Sequence, residues 1–467
     1  MKTFRRSKFL LTAGLLIVLA SSLPAQLSAG EKMSFIENDQ IRLGANLAIG
    51  GSITYLSTKT GPNMINSHDW GRQIQMSFYS GPKPFEPNGK KLNASWSQLG
   101  WNPIQSGDCY GNTSTLLEHR NDGQEIYIKS RPMHWPLNNV PGECDFECWF
   151  RLEGNIVHAR SRLTNRRRDK TQYAGRTQEL PAVYTNGKWY KLVSYQGDRP
   201  FSGAKPTVLV DQNDGKGWPW RNFYTPEHWV ALLDKDDWGL GLYMPGACGF
   251  TGGFAGKPKG SGGPKSGQTG YMGTTIKEIL DHNIVYTYDY TLIVGSLNEI
   301  RDYVYKCEKK RSLPRWEFKD DRQHWICQNV TDAGWPIKEG LRVALGSDKV
   351  ALVSPKTFWR AEDAPTLSLR ASFTISAKSA KILLQPYDCL TAGDWAQWGP
   401  GRSKRPKPAP PLTFPFKIKG DGKVRNLEID LASHSKYRGG MTQIKLLLPT
   451  GKGTATLHAV ELKGLGS

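Results

Sequence analysis

The stretch NMINSHDWGRQIQMSFYSGP, Asn63 to Pro82, crowds a His-Asp pair, an arginine and two glutamines into one segment with strand-like alternation. In GRQIQMSFY a period of two puts Arg72, Ile74, Met76 and Phe78 on one face and Gln73, Gln75, Ser77 and Tyr79 on the other. Two amides and two hydroxyls make an uncharged bank of donors and acceptors, which is equipment for reading hydroxyl groups. His68 and Asp69 stand just before it, where the chain turns. Arg72 is the misfit, since strict alternation assigns it to the apolar side. A bulge near Gly71 or a wet strand end must accommodate it.

More groups of this kind follow. The loop GWNPIQSGDCYGNTS, from Gly100, holds Trp101, Asn102, Gln105, Asp108, Tyr110 and Asn112. RPMHWPLNN brings His134 and Trp135 together, and in NIVHARSRLTN the residues His158, Arg160 and Arg162 share one strand face. Glu179 in QELPAVY sits among Leu180, Pro181, Ala182 and Val183. A carboxyl in apolar company is expected to have a raised pKa, as a general acid requires.

The elements that must position these groups read as strands. Short alternating runs such as EIYIKS, FECWFRLEG, WVALLD and NIVYTYDYTLIVG lie between Gly, Pro, Asn and Asp, which predicts an all-β chain. One amphipathic helix is expected over Ser296 to Lys310, with Ser296 as N-cap and Glu299 completing a capping box. Past Arg315 the strands fit a smaller, separate β-sandwich of jelly-roll type. The expected division is a leader over 1–29, a large domain over 30–314 and the jelly roll over 315–467. Gly252 to Gly273 and Trp398 to Pro415 read as loops by composition, the first able to cover an anionic ligand with its lysines.

Composition narrows the function classes. MKTFRRSKFLLTAGLLIVLASSLPAQLSAG has the basic, apolar and small-residue layout of a secretory signal peptide, so a secreted or periplasmic protein is expected, with no membrane span. The formal net charge is +20. For an exported chain with no nucleic-acid motif, that points to a polyanion such as a uronate or sulfated glycan, beside the plainer reading of a solvated basic surface. Export makes one to three disulfides the expectation, with at least one of the seven cysteines unpaired or paired between chains, and Cys144 and Cys148 lack the second pair or the flanking His that a zinc site needs. No cofactor is called for. The segment DQNDGKGW, Asp211 to Trp218, has oxygens spaced as in a calcium loop but lacks the closing bidentate acid, and reads as an ordinary turn.

The order GGSITYLS, NMIN, DWGRQIQMSFYSGP, then HARSRLTNRRRD, then QELPAVY resembles the galactose mutarotase-like supersandwich superfamily over Phe35 to Leu297. The shared features are a Gly-Gly strand, an Asn-containing turn, a Gly-Arg strand and Thr164-Asn165 at the end of a central strand. The resemblance implies a large supersandwich that handles carbohydrate on its concave face. In the sugar epimerases of that superfamily a Glu base works with His partners, roles that Glu179 with His134 or His158 would fill here. LEIDLASHSKYRGGMTQIKLLLPTGKGTATLHAVELKG resembles the end of carbohydrate-binding jelly-roll modules, with Trp395 and Trp398 as candidates for sugar stacking.

Three chemistries on sugar compete. A hydrolase needs two carboxylates, for which Glu179 pairs with Asp69 or Asp108. A lyase on a uronate needs a Tyr or His base and groups that neutralise the carboxylate; His68, His134, His158, Tyr79, Tyr110, Arg72, Arg160 and Gln75 suit that. An epimerase needs an acid/base pair across the anomeric carbon. The positive charge and this stock of residues tip the expectation slightly to a lyase. Trp101, Asn102, Asp108, Trp135, Gln73 and Tyr79 complete the expected substrate contacts. A non-catalytic glycan-binding protein and an envelope structural protein remain the rivals from other classes.

Overall fold

A strand that alternates Ile74, Met76 and Phe78 with polar residues must bury one face, and here it does so between two large antiparallel sheets. The computed structural model describes residues 32–210, 219–257, 260–308, 312–388 and 408–464. The predicted signal peptide, the Asp211 to Trp218 segment, Trp395 and Trp398 lie outside the described residues. The chain is all-β, with one α-helix among the described residues, Leu297–Cys307. That helix starts on the expected capping box: the Ser296 backbone N–H and side chain meet Glu299, and the Glu299 N–H donates back to Ser296 Oγ.

The first sheet has ten strands. Its main path runs Met33–Glu37, Ile41–Asn46, Ser52–Thr58, Ile74–Ser77, Arg176–Asn186, Thr269–Glu278, Gly249–Ala255 and Arg221–Tyr224. The facing sheet has nine, with Val285–Ser296, Ile156–Asn165 and Cys144–Glu153 at its centre. Ile74, Met76 and Phe78 point between the sheets, where Phe78 packs on Phe146 at 5.5 Å and on Tyr286 at 6.0 Å between ring centroids. Full burial of such a side chain stabilises the fold by roughly 1.5–3 kcal/mol. The Gly-Gly bend is a tight approach: Gly51 has φ 73°, and a Cβ there would meet Ile128 at 2.5 Å.

The residues after Arg315 build two further antiparallel sheets, of five and six strands, around their own core of Trp316, Trp325, Leu369, Phe373 and Leu446. A buried cluster ties the two sandwiches together. Arg322 Nη1 is 2.5 Å from Asp281, and its Nη2 is 2.6 Å from Asp332. Gln172 Nε2 donates to both carboxylates, at 3.0 Å and 2.8 Å.

Three expectations change. The glycine-rich stretch from Gly252 to Gly273 is not a free loop. Its ends belong to the paired strands Gly249–Ala255 and Thr269–Glu278, because alternate Phe250, Phe254 and Met272 reach the core. The Pro-rich stretch ends in a strand, Leu412–Lys417, that pairs with Ser379–Pro386. The six described cysteines are all free thiols, so no disulfide joins described residues. Among the described residues, no helix is long and apolar enough to cross a membrane, and no cluster of His, Cys, Asp and Glu is arranged to hold a metal ion.

Candidate functional site: a cleft around Glu179

The strand Arg176–Asn186 carries the central residue, and a bulge aims it. Glu179 pairs with Thr275 and Ala182 with Gly273, so three steps on this strand oppose two on its neighbour. The irregularity falls at Pro181, which has no N–H to donate to a ladder. The extra residue turns Glu179, Ala182 and Tyr184 to the outer face of the ten-stranded sheet, while Leu180 and Val183 enter the core. On the neighbouring strand Gln75 and Ser77 face the same way, with Ser77 directly opposite Glu179. Tyr79 follows the strand end and is pinned there by the Gln178 side chain, which accepts from its N–H at 2.7 Å and donates to its carbonyl at 2.8 Å.

These residues floor a cleft of about 660 Å³. The Tyr79 hydroxyl donates to Glu179 Oε2 at 3.0 Å. Burial pushes the Glu179 carboxyl above its usual range, and hydroxyl donation pulls it back in part. Tyr79, Tyr184 and Tyr271 are held well above the ordinary phenol range, by burial first and then by the Glu179 charge. Tyr184 and Tyr271 stack at 4.5 Å beside it. The Tyr271 hydroxyl, though electrostatically close to Glu179, makes no hydrogen bond of ordinary geometry, and neither does Asn102 Oδ1. Trp96, Trp135 and Trp220 form the rim, the first two edge to face at 5.8 Å. Flat aromatic faces around polar donors suit a ligand with apolar faces and hydroxyl edges.

Charge in the cleft is uneven. Asp69 pairs with Arg72 at 3.2 Å and caps the Gly71 N–H at 2.9 Å. Arg176 reaches into the cleft beside Tyr79, its guanidinium 5.7 Å from the ring centroid. It donates to the carbonyls of Ser80 and Leu99 and has no carboxylate partner among the described residues. Of the two arginines lining the cleft, Arg72 is thus matched by Asp69, and Arg176 is left without a carboxylate of its own.

The structure gathers some of the expected residues and disperses others. Arg72, Gln75, Tyr79, Asn102, Trp135, Asp69 and Glu179 line the cleft. Arg72 needs no bulge: the strand begins at Ile74, and Arg72 belongs to the preceding turn, where it also donates to the Gly267 carbonyl at 2.8 Å. Gln73 is buried and spent on that turn, donating to the Asp69 carbonyl at 2.7 Å. His68 stands outside the cleft, exposed, its Nδ1 2.8 Å from the Lys265 carbonyl.

His158 and Arg160 are on the nine-stranded sheet, facing solvent on the opposite side of the sandwich, paired with Glu153 at 3.1 Å and Asp289 at 2.7 Å. They cannot meet Glu179. His134 is fully buried between Phe85 and Trp101, with Nε2 3.2 Å from Glu143. Burial lowers its pKa against the opposing pull of Glu143, and it serves packing. Trp101 is buried and donates to the same carboxylate at 3.3 Å. Asp108 is used up by its own loop, accepting from the N–H groups of Tyr110, Asn112 and Asn139. Tyr110 lies on that turn, 41% exposed, and does not line the cleft. Arg176, Tyr184, Tyr271, Trp96 and Trp220 were missed. Tyr184 stands in the quoted QELPAVY motif, but its facing follows from the bulge, which has no sequence signal beyond Pro181.

No family model and no curated protein matches the chain. Among solved structures it is similar to a galactose mutarotase-like protein from Lactobacillus casei ATCC 334, at 12% identity over 56% of this chain and 99% of that one, TM-score 0.37. A galactose mutarotase related enzyme from Lactobacillus acidophilus aligns at 10% identity over 56% of this chain and 97% of that one, TM-score 0.33. A GH36 alpha-galactosidase from Geobacillus stearothermophilus aligns at 9% identity over 64% of this chain, which spans 45% of that enzyme, TM-score 0.32.

Proposed function

We propose that the chain is a carbohydrate-processing enzyme acting on an acidic glycan, with Glu179 as its general acid–base. The observation that carries this is the Glu179–Tyr79 pair, 3.0 Å apart on the floor of an aromatic-rimmed cleft. A raised carboxyl pKa brings proton transfer closer to neutral pH, where such a group is most effective. Arg176, which has no carboxylate partner among the described residues, favours a sugar carboxylate. Arg176 and Arg72 neutralise that carboxylate and so acidify the adjacent C–H. Ionised Glu179 takes the proton, the C–H electrons form a double bond to the neighbouring carbon, and the glycosidic oxygen there leaves with the bonding pair. Tyr79 gives that oxygen its proton and recovers one from Glu179. The products are an unsaturated uronate end and a free hydroxyl. The same reading has the protein act after export, and N-terminal sequencing of material recovered from the culture medium tests that part.

A second reading is hydrolysis, favoured by Asp69 lining the same cleft as Glu179. The test is a panel of uronate, sulfated and neutral polysaccharides. Elimination gives new ultraviolet absorbance that Glu179→Gln abolishes. Reducing ends without absorbance indicate hydrolysis. Binding with neither product overturns the enzymatic reading in favour of a glycan-binding protein.

A further inference from the structure

The Glu179 cleft does not stop at the edge of its sandwich. Thr177, Asn222 and Thr275, on three strands of the ten-stranded sheet, line its far end and also line a second hollow of about 570 Å³. The hollows adjoin at these shared residues, as two arms of a groove. Each hollow falls within the roughly 300–1,000 Å³ typical of a small-ligand site, so the groove has room for more than one such unit.

The second hollow is built by both sandwiches. Lys277 and the Met244 to Gly249 turn supply one wall, and Arg315, Lys356 and His324 supply the other. Lys277, Arg315, Lys356 and His324 are basic side chains, and among the described residues no Asp or Glu lines the hollow. Lys277 is exposed and makes no ion pair among the described residues, while Arg315 also pairs with Glu317 and Glu461. The His324 ring contacts buried Glu278. Burial alone would lower the imidazole pKa, and the carboxylate overrides it and raises it. The buried Glu278 carboxylate is therefore committed to a histidine and does not line the groove.

We infer that this groove is a track for an extended anionic polysaccharide, with the acid–base cleft in one arm and a cationic arm furnished jointly by the two sandwiches. The inference rests on the acidic-glycan reading and deepens it: the enzyme grips several units of a polymer, and the C-terminal sandwich takes part in substrate binding.

The test uses the full chain carrying Glu179→Gln, so that binding is read without turnover. Calorimetric titration with oligouronates from disaccharide to octasaccharide is compared with a neutral ladder of the same lengths. Affinity for the anionic ladder should climb at least about tenfold between disaccharide and hexasaccharide, which corresponds to about 1.4 kcal/mol. Lys277→Glu should cost the hexasaccharide about tenfold more than the disaccharide, because the reversed charge sits in the far arm. Asn222→Trp, which narrows the junction, should flatten the climb. Affinity independent of length, equal losses at both lengths, or no binding to any oligomer overturns the track. An equal climb on the neutral ladder overturns its anionic class. If length dependence appears while the wild type releases no product, the track stands and the enzymatic reading falls. Turnover without length dependence has the opposite meaning.

Discussion

Replacing Tyr79 by Phe removes one atom and tests the centre of the site. The hydroxyl donates to Glu179 Oε2 at 3.0 Å, and that bond favours the ionised carboxylate. The ring stays, so its packing against Arg176 and the pinning of its backbone by Gln178 are unchanged. A hydrogen bond to a charged group contributes about 1.5–3 kcal/mol. At about 1.36 kcal/mol per pH unit, its loss should move the Glu179 titration upward by about 1–2 units. Burial, which already raises this carboxyl, is then less opposed. The assay is the pH dependence of kcat/KM on the responsive glycan, whose acidic limb reports ionisation of the free enzyme's base. Difference infrared spectroscopy of the protonated carboxyl band gives a readout that needs no activity. Both should shift upward together, and the maximal rate should also fall, by about 10²–10⁴-fold if Tyr79 returns the proton. A limb and a carboxyl band that stay in place, or move to lower pH, would refute the coupling of these two residues.

Other outcomes follow from the same contacts. Because the folded pKa of Glu179 is raised, the native chain holds a proton that the unfolded chain loses above about pH 4.3, so this group's stabilisation is lost as pH rises through the folded value. Glu179→Gln should accordingly match the wild type in denaturant melts below pH 4 and become the more stable of the two as pH rises through the folded carboxyl's titration. His158→Ala, on the opposite sheet, should leave kcat/KM within about twofold and change stability by no more than about 0.5 kcal/mol. Arg322→Ala strands the Asp281 and Asp332 carboxylates in the buried junction and should cost about 3–5 kcal/mol in urea unfolding.

Much of the molecule was legible because its signals are local. A period of two identifies a strand and its buried face from a few neighbours, so Ile74, Met76 and Phe78 could be assigned to the core and Gln75, Ser77 and Tyr79 to the other side. The capping box at Ser296 is likewise a four-residue device. Glu179 was legible as a titratable oddity because its neighbours Leu180 and Val183 are core residues. The glycine-rich stretch from Gly252 misled for the converse reason: its composition suggests a loop, yet long-range pairing makes both ends strands.

The sequence by itself determined the alternation, the helix cap and the presence of an acid in apolar company, since each depends on covalent geometry and near neighbours. The tertiary structure alone decided which groups share a cleft. His134, His158 and Glu179 are similar in kind as residues, but strand order sends His158 to the far sheet and packing seals His134 between Phe85 and Trp101. Arg176, Trp96 and Trp220 join Glu179 because the bulge before Ala182 and the pairing of distant strands bring them there. Register and sheet order are set by contacts between residues far apart in the chain, and no local pattern encodes them.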